Sequence, residues 1–94
     1  MRKNKVKQIL REGGSAIGTF VKTTDASAVE IMGMCGFDFF VIDSEHVSYN
    51  PETITDLVRV SDTSGIVPIV RIKESTPVNV MQALDQGALG FHAP

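Results

Sequence analysis

An α/β fold on a parallel sheet is predicted by three features of this 94-residue chain. Short apolar, β-branched runs begin near positions 16, 37, 66 and 88, and each gap between them holds one stretch of helical periodicity. The second run, Phe37-Asp38-Phe39-Phe40-Val41-Ile42, is apolar almost throughout. A strand apolar on both faces belongs in a sheet covered by helices. Connections long enough to hold a helix make successive strands parallel, with right-handed crossovers.

The elements follow in order. Residues 3–12 place Val6, Ile9 and Leu10 at helical spacing and stop at Gly13-Gly14, which favour the left-handed conformations that end helices. Residues 16–21 read as the first strand, with Gly18 marking a bulge or a close backbone approach. Asp25 caps a helix running to Met34, with Gly36 just past its end. The second strand covers 37–42. Asn50-Pro51 is a helix start, an N-cap side chain followed by proline at the first helical position, and this helix ends near Thr63-Ser64-Gly65. Residues 66–72 form the third strand, with Pro68 early, where a missing donor does least harm. Thr76-Pro77 opens a helix closed by Gly87, and residues 88–93 form the fourth strand. An eight-unit barrel takes roughly 250 residues. Four units in 94 residues therefore predict the N-terminal half of a TIM-type (β/α)8 barrel, a single segment over 1–94 truncated after its fourth strand.

Composition narrows the function classes. With 43% hydrophobic and 21% charged residues the chain is that of an ordinary globular protein. A formal charge of −2 gives no global attraction to nucleic acid or to anionic lipid. The basic start, Arg2, Lys3, Lys5 and Lys7, reads as a solvated helix face. No apolar run approaches the ~18 residues of a membrane span, so no membrane partner and a cytoplasmic setting are expected. The single cysteine, Cys35, lies in an apolar helical stretch and is assigned to packing.

Candidate chemistry gathers where strands end, the place at which parallel sheets carry their ligands. Asp43-Ser44-Glu45-His46 follows directly on the second strand, Arg71 ends the third, and Asp85 precedes the fourth. His46 is the natural general base, since imidazole titrates near working pH. A carboxylate on its other nitrogen would fix the tautomer, and Asp43 and Asp85 are candidates for that partner. Arg71 suits a carboxylate or oxo group bound in bidentate fashion. Ser44 lacks the flanking glycines of a nucleophile elbow, and the spaced glycines lack a nucleotide-binding pattern. Asp43 and His46 have no accompanying His or Cys cluster, so no metal ligand is assigned within this chain. His92 reads as a strand residue.

Several phrases are familiar as a set: Gly36-Phe37-Asp38, Ile42-Asp43-Ser44-Glu45-His46, Val70-Arg71-Ile72, the run from Ala83 to Gly90 (Ala-Leu-Asp-Gln-Gly-Ala-Leu-Gly), and Ala93-Pro94. Together they resemble the HpcH/HpaI aldolases, metal-dependent enzymes of aromatic or sugar-acid catabolism that cleave 4-hydroxy-2-oxo acids to pyruvate and an aldehyde. The resemblance implies that His46 is the catalytic base paired with Asp85, that Asp43 stands beside it, and that Arg71 contacts the oxo-acid end of the substrate. It also implies a divalent metal (Mg, Mn or Co) whose ligands, a Glu and an Asp, lie beyond Pro94. Phe20 stands where the family commonly has tryptophan, a substrate-pocket position, and His92 replaces a usually apolar residue. A small-molecule oxo-acid substrate and a homo-oligomer are expected, with residues 1–94 inactive alone. Two alternatives remain open: an imine-forming aldolase using Lys73 or Lys22, and a non-catalytic fragment that self-associates through its unpaired strand and inner face.

Overall fold

The structure is a computed structural model, which describes residues 4–44, 49–72, 76–85 and 87–92, with residues 91 and 92 described by their backbone alone. Helices and strands alternate: α1 (Lys5–Arg11), β1 (Gly18–Val21), α2 (Ala26–Met34), β2 (Phe39–Asp43), α3 (Pro51–Ser64), β3 (Val67–Arg71), α4 (Pro77–Asp85) and β4 (Gly90–His92). The strands form one sheet in the order β1-β2-β3-β4, every neighbouring pair parallel. This is the predicted series of βα units.

The caps act as their chemistry requires. Asp25 Oδ1 accepts from Ser27 N at 2.9 Å, and Asn50 Oδ1 accepts from Glu52 N at 2.8 Å and Thr53 N at 3.3 Å. Thr76 Oγ1 takes the Asn79 N–H at the start of α4.

Each strand begins later than its apolar run, because the first residues of the run finish the preceding turn instead of joining the ladder. Ile17 N donates to Asp38 Oδ2 at 2.9 Å, so β1 starts at Gly18 rather than Ala16. Phe37 N returns to Met32 O, Ile66 N to Ser61 O and Ala88 N to Ala83 O, each closing a helix end. The other end shifts too: Asp43 is the last residue of β2, not the first of a loop. Ala93, assigned to the fourth strand, lies outside the described residues.

Alternation along the strands divides the sheet into two faces. Val21, Phe40, Ile42 and Val70 join Val29 of α2, Ile54, Leu57 and Val58 of α3 and Ala83 of α4 in one buried cluster. The opposite face carries Phe20, Phe39, Val41, Asp43, Val67, Ile69 and Arg71 by the same alternation. Gly18 pairs with Phe39 on that face, and a Cβ at Gly18 would overlap the Phe39 ring. At the edge where strands begin, Asn4 Nδ2 donates to Leu89 O at 3.3 Å and Lys5 Nζ lies 3.8 Å from Asp38 Oδ1. Helix α1 is thereby tied to the amino ends of β2 and β4.

Helix α2 meets α3 at a close approach, where a Cβ on Gly33 would lie 2.6 Å from Ser64 O and 2.9 Å from Ser64 Cβ. Cys35 is not a packing residue. It is exposed and caps the end of α2, its N–H bonded to Ile31 O, because the buried stripe of α2 is at Val29 instead. Replacing Gly33 by Ala in the complete protein is expected to force the two helices apart and destabilise it by about 1–3 kcal/mol. Urea unfolding should show a lower midpoint with an unchanged slope.

Candidate functional site

Parallel pairing brings the carboxyl ends of all four strands to one edge, and two candidate residues meet there. Asp43 and Arg71 are register partners at the ends of β2 and β3, on adjacent central strands. Asp43 is 1% exposed, and its Oδ2 lies 3.7 Å from Arg71 Nη1, an ion pair rather than a close hydrogen bond. A carboxylate this buried is tolerable only beside a cation or a set of donors, since desolvation costs several kcal/mol otherwise.

Ser44 locks the two strand ends together. Both its N–H, at 3.2 Å, and its hydroxyl donate to the Arg71 carbonyl. The side chain set aside as a nucleophile thus holds the β2 and β3 ends in register. On the same sheet face, the Arg71 guanidinium carbon stands 5.0 Å from the centre of the Phe20 ring. Phe20, Asp43 and Arg71 are therefore brought together from three consecutive strands.

Asp85 is not brought to them. It ends α4, which runs back from the carboxyl edge, and Leu89 N, four residues later, bonds Pro68 O at the start of β3. Within this chain Asp85 is exposed at the opposite edge of the sheet from Asp43 and Arg71. His46, Glu45 and Lys73 lie outside the described residues, and Lys22 is exposed just past β1. His92 sits in register with Arg71 on β4.

Tyr49 is a residue near this edge that sequence reasoning did not single out. Its hydroxyl lies 3.0 Å from Val21 O and 3.1 Å from Thr23 O, tying the segment before α3 to the end of β1. Its position just before the Asn50-Pro51 helix start was the available signal, but its backbone partners carry none in their side chains. Burial, and then the neighbouring Asp43 carboxylate, push the phenol above its ordinary pKa, so the hydroxyl stays a donor. A cleft of about 210 Å³ opens between Tyr49, Ile54, Asn79 and Ala83, with Val70 and Ile72 as its floor. Val70 belongs to the helix-facing cluster, so the sheet separates this cleft from the Phe20–Arg71 face.

Removing the tyrosine hydroxyl (Tyr49→Phe) should cost about 0.5–1.5 kcal/mol by taking away the single proton that the Val21 and Thr23 carbonyls share. Because the folded pKa is raised, the stabilisation is full below about pH 10, the unfolded value, and is lost as pH rises through the folded value. Absorbance at alkaline pH, wild type minus variant, should show one phenol titrating above that point.

The comparisons with known proteins concern the fold and the family. No family model matches the chain. Over 91 residues, 97% of the chain, it is 35% identical to a hydroxypyruvate/pyruvate aldolase of Agrobacterium fabrum. Over 86 residues, 92% of the chain, it is 30% identical to a 2-dehydro-3,6-dideoxy-6-sulfogluconate aldolase of Pseudomonas putida. In both cases it spans 34% of the relative's own length. Among solved structures, the citrate synthase SbnG superposes with a TM-score of 0.89 at 37% identity, covering 95% of this chain and 36% of that one. The HpcH/HpaI aldolase of Desulfitobacterium hafniense DCB-2 superposes with a TM-score of 0.86 at 34% identity, covering 92% of this chain and 34% of that one. Along nearly its whole length, the chain is thus an α/β piece of a TIM-type barrel that matches the N-terminal third of HpcH/HpaI-type aldolases.

Proposed function

We propose that the protein to which this chain belongs is a carbon–carbon lyase that cleaves a 4-hydroxy-2-oxo acid into pyruvate and an aldehyde. One observation carries the reading: a buried Asp43 holds Arg71 at the carboxyl edge of the sheet, three residues before His46. The guanidinium is a planar fork suited to a carboxylate beside an oxo group. His46 takes the proton of the 4-hydroxyl, the C4–O bond becomes a carbonyl as the C3–C4 bond breaks, and the electron pair moves to the C2 oxygen. Arg71 stabilises the resulting enolate, which takes a proton at C3 to give pyruvate. As the carboxylate that orients the imidazole, Asp43 has the support of its position beside His46 in the chain. Asp85 keeps that role only through the resemblance, since it stands at the other edge of the sheet.

The resemblance implies a divalent metal that would polarise the oxo acid. Among the described residues there is no group of three or more His, Cys, Asp or Glu that could hold one. Those residues do not fit a metal site, so no step is routed through the ion; its Glu and Asp ligands are expected beyond Pro94. Self-assembly as a homo-oligomer and a cytoplasmic setting belong to the same proposal. An exposed free Cys35 suits a reducing compartment. A second reading has the support of the citrate synthase likeness: the same edge could serve carbon–carbon bond formation instead of cleavage.

In the complete protein, with pyruvate release followed by a coupled dehydrogenase, Arg71→Lys is expected to lower kcat/KM about 10²-fold through loss of the bidentate contact. His46→Asn should lower kcat about 10²- to 10⁴-fold. Wild-type rates from both variants would overturn the assignment. A lysine adduct trapped by borohydride with pyruvate would replace it with the imine route through Lys73 or Lys22.

A further inference from the structure

Phe20 is half exposed, unusual for an aromatic ring on a four-residue strand, and the buried cluster does not include it. Its β1 position is in register with Val41 of β2, two residues before Asp43. Arg71 belongs to β3, so its guanidinium must lean across β2 to stand 5.0 Å from the ring centre. The same guanidinium lies 3.7 Å from the Asp43 carboxylate. Ring, guanidinium and carboxylate therefore meet on one face, each supplied by a different strand.

The two contacts act from different strands. Asp43 attracts the charge from the end of β2, its carboxylate 3.7 Å from Arg71 Nη1. A ring centre within about 6 Å attracts the cation through its quadrupole, so Phe20 draws the guanidinium over its face from the β1 side. Attraction to a ring supplies no acceptor oxygen, so it satisfies none of the N–H···O bonds by which the fork recognises a planar carboxylate. An arginine side chain otherwise has many rotamers, and ordering it at the moment of binding weakens the complex.

We propose that Phe20 is a positioning residue that acts through Arg71: its ring holds the guanidinium in place over the sheet face and thereby sets how tightly the carboxylate end of an oxo acid is held. This rests on the reading of Arg71 as the oxo-acid contact and deepens it. The ring is expected to govern affinity for the acid end and to leave the bond-breaking step alone.

The test uses the complete protein, with a 4-hydroxy-2-oxo acid as substrate and pyruvate as competitive inhibitor. Phe20→Leu keeps an apolar side chain but removes the π face. It should raise both KM and the pyruvate inhibition constant about two- to fivefold, with kcat within twofold of wild type. Phe20→Trp, with a stronger π face, should restore both constants to within twofold of wild type. In an Arg71→Lys background, Phe20→Leu should change KM less than it does in the wild type, because the partner of the ring has gone. An Arg71 Nε–H resonance shifted by the ring current in wild type and returned in Phe20→Leu gives a readout independent of turnover.

If Phe20→Leu leaves KM unchanged while Arg71→Lys raises it, the positioning role falls and the oxo-acid reading of Arg71 stands. If Arg71→Lys leaves KM unchanged as well, both fall. Failure of Phe20→Trp to restore what Phe20→Leu loses would also overturn the proposal, since a packing role alone would explain the loss.

Discussion

The pairing of β2 with β3 is the constraint on which the rest of the molecule depends. With Asp43 aligned to Arg71, every residue before them takes its side by alternation: Phe40, Ile42 and Val70 toward the helices, Val41, Val67 and Ile69 toward the other face. A slip of one residue would send Asp43 into the helix-facing core and bring Ile42 out in its place. That core has no charged residue to receive it. The electrostatic requirement of one carboxylate and the packing requirement of a dozen apolar side chains thus select the same register. Ser44 adds a local lock by giving both its donors to the Arg71 carbonyl.

The two edges of the sheet are built differently. At the amino edge, polar groups are used for closure: Asp38 accepts the Ile17 amide and faces Lys5, while Asn4 reaches Leu89. These contacts tie loops and α1 to strand starts. At the carboxyl edge, Asp43, Arg71 and Tyr49 are held by contacts that leave a charged fork beside a partly exposed ring. A polar residue next to a strand therefore says little about chemistry until its edge is known.

That distinction explains what could and could not be read from the sequence. Element order was legible because caps and periodicity are local: Asp25, Asn50-Pro51 and Thr76-Pro77 each start a helix where expected. The strand starts were less so, since apolar residues such as Phe37 and Ile66 close helices with the same side chains that suit strands. Asp43 and Arg71 stood out as polar residues ending apolar runs, but their pairing is a long-range fact that only register supplies. Asp85 shows the reverse. Its nearness in sequence to the fourth strand suggested the shared rim, whereas the direction of α4 carries it to the other edge. The Tyr49 contacts to Val21 and Thr23 had no side-chain signature to find. Phe20 was singled out through the resemblance alone, and its contact with Arg71 needed the order of three strands.

Asn4 has a consequence for how the chain is made. As N-cap it accepts the Lys7 amide within its own turn, a contact available as soon as the helix forms. Its amide nitrogen, however, waits for Leu89, 85 positions later. At roughly 5–20 residues per second, a ribosome takes about 4–17 s to supply that partner. During that interval α1 has one of its two partners at this edge, Asp38 through Lys5, but not the amino end of β4. One side chain thus joins a contact made within a single turn to one made across nearly the whole chain.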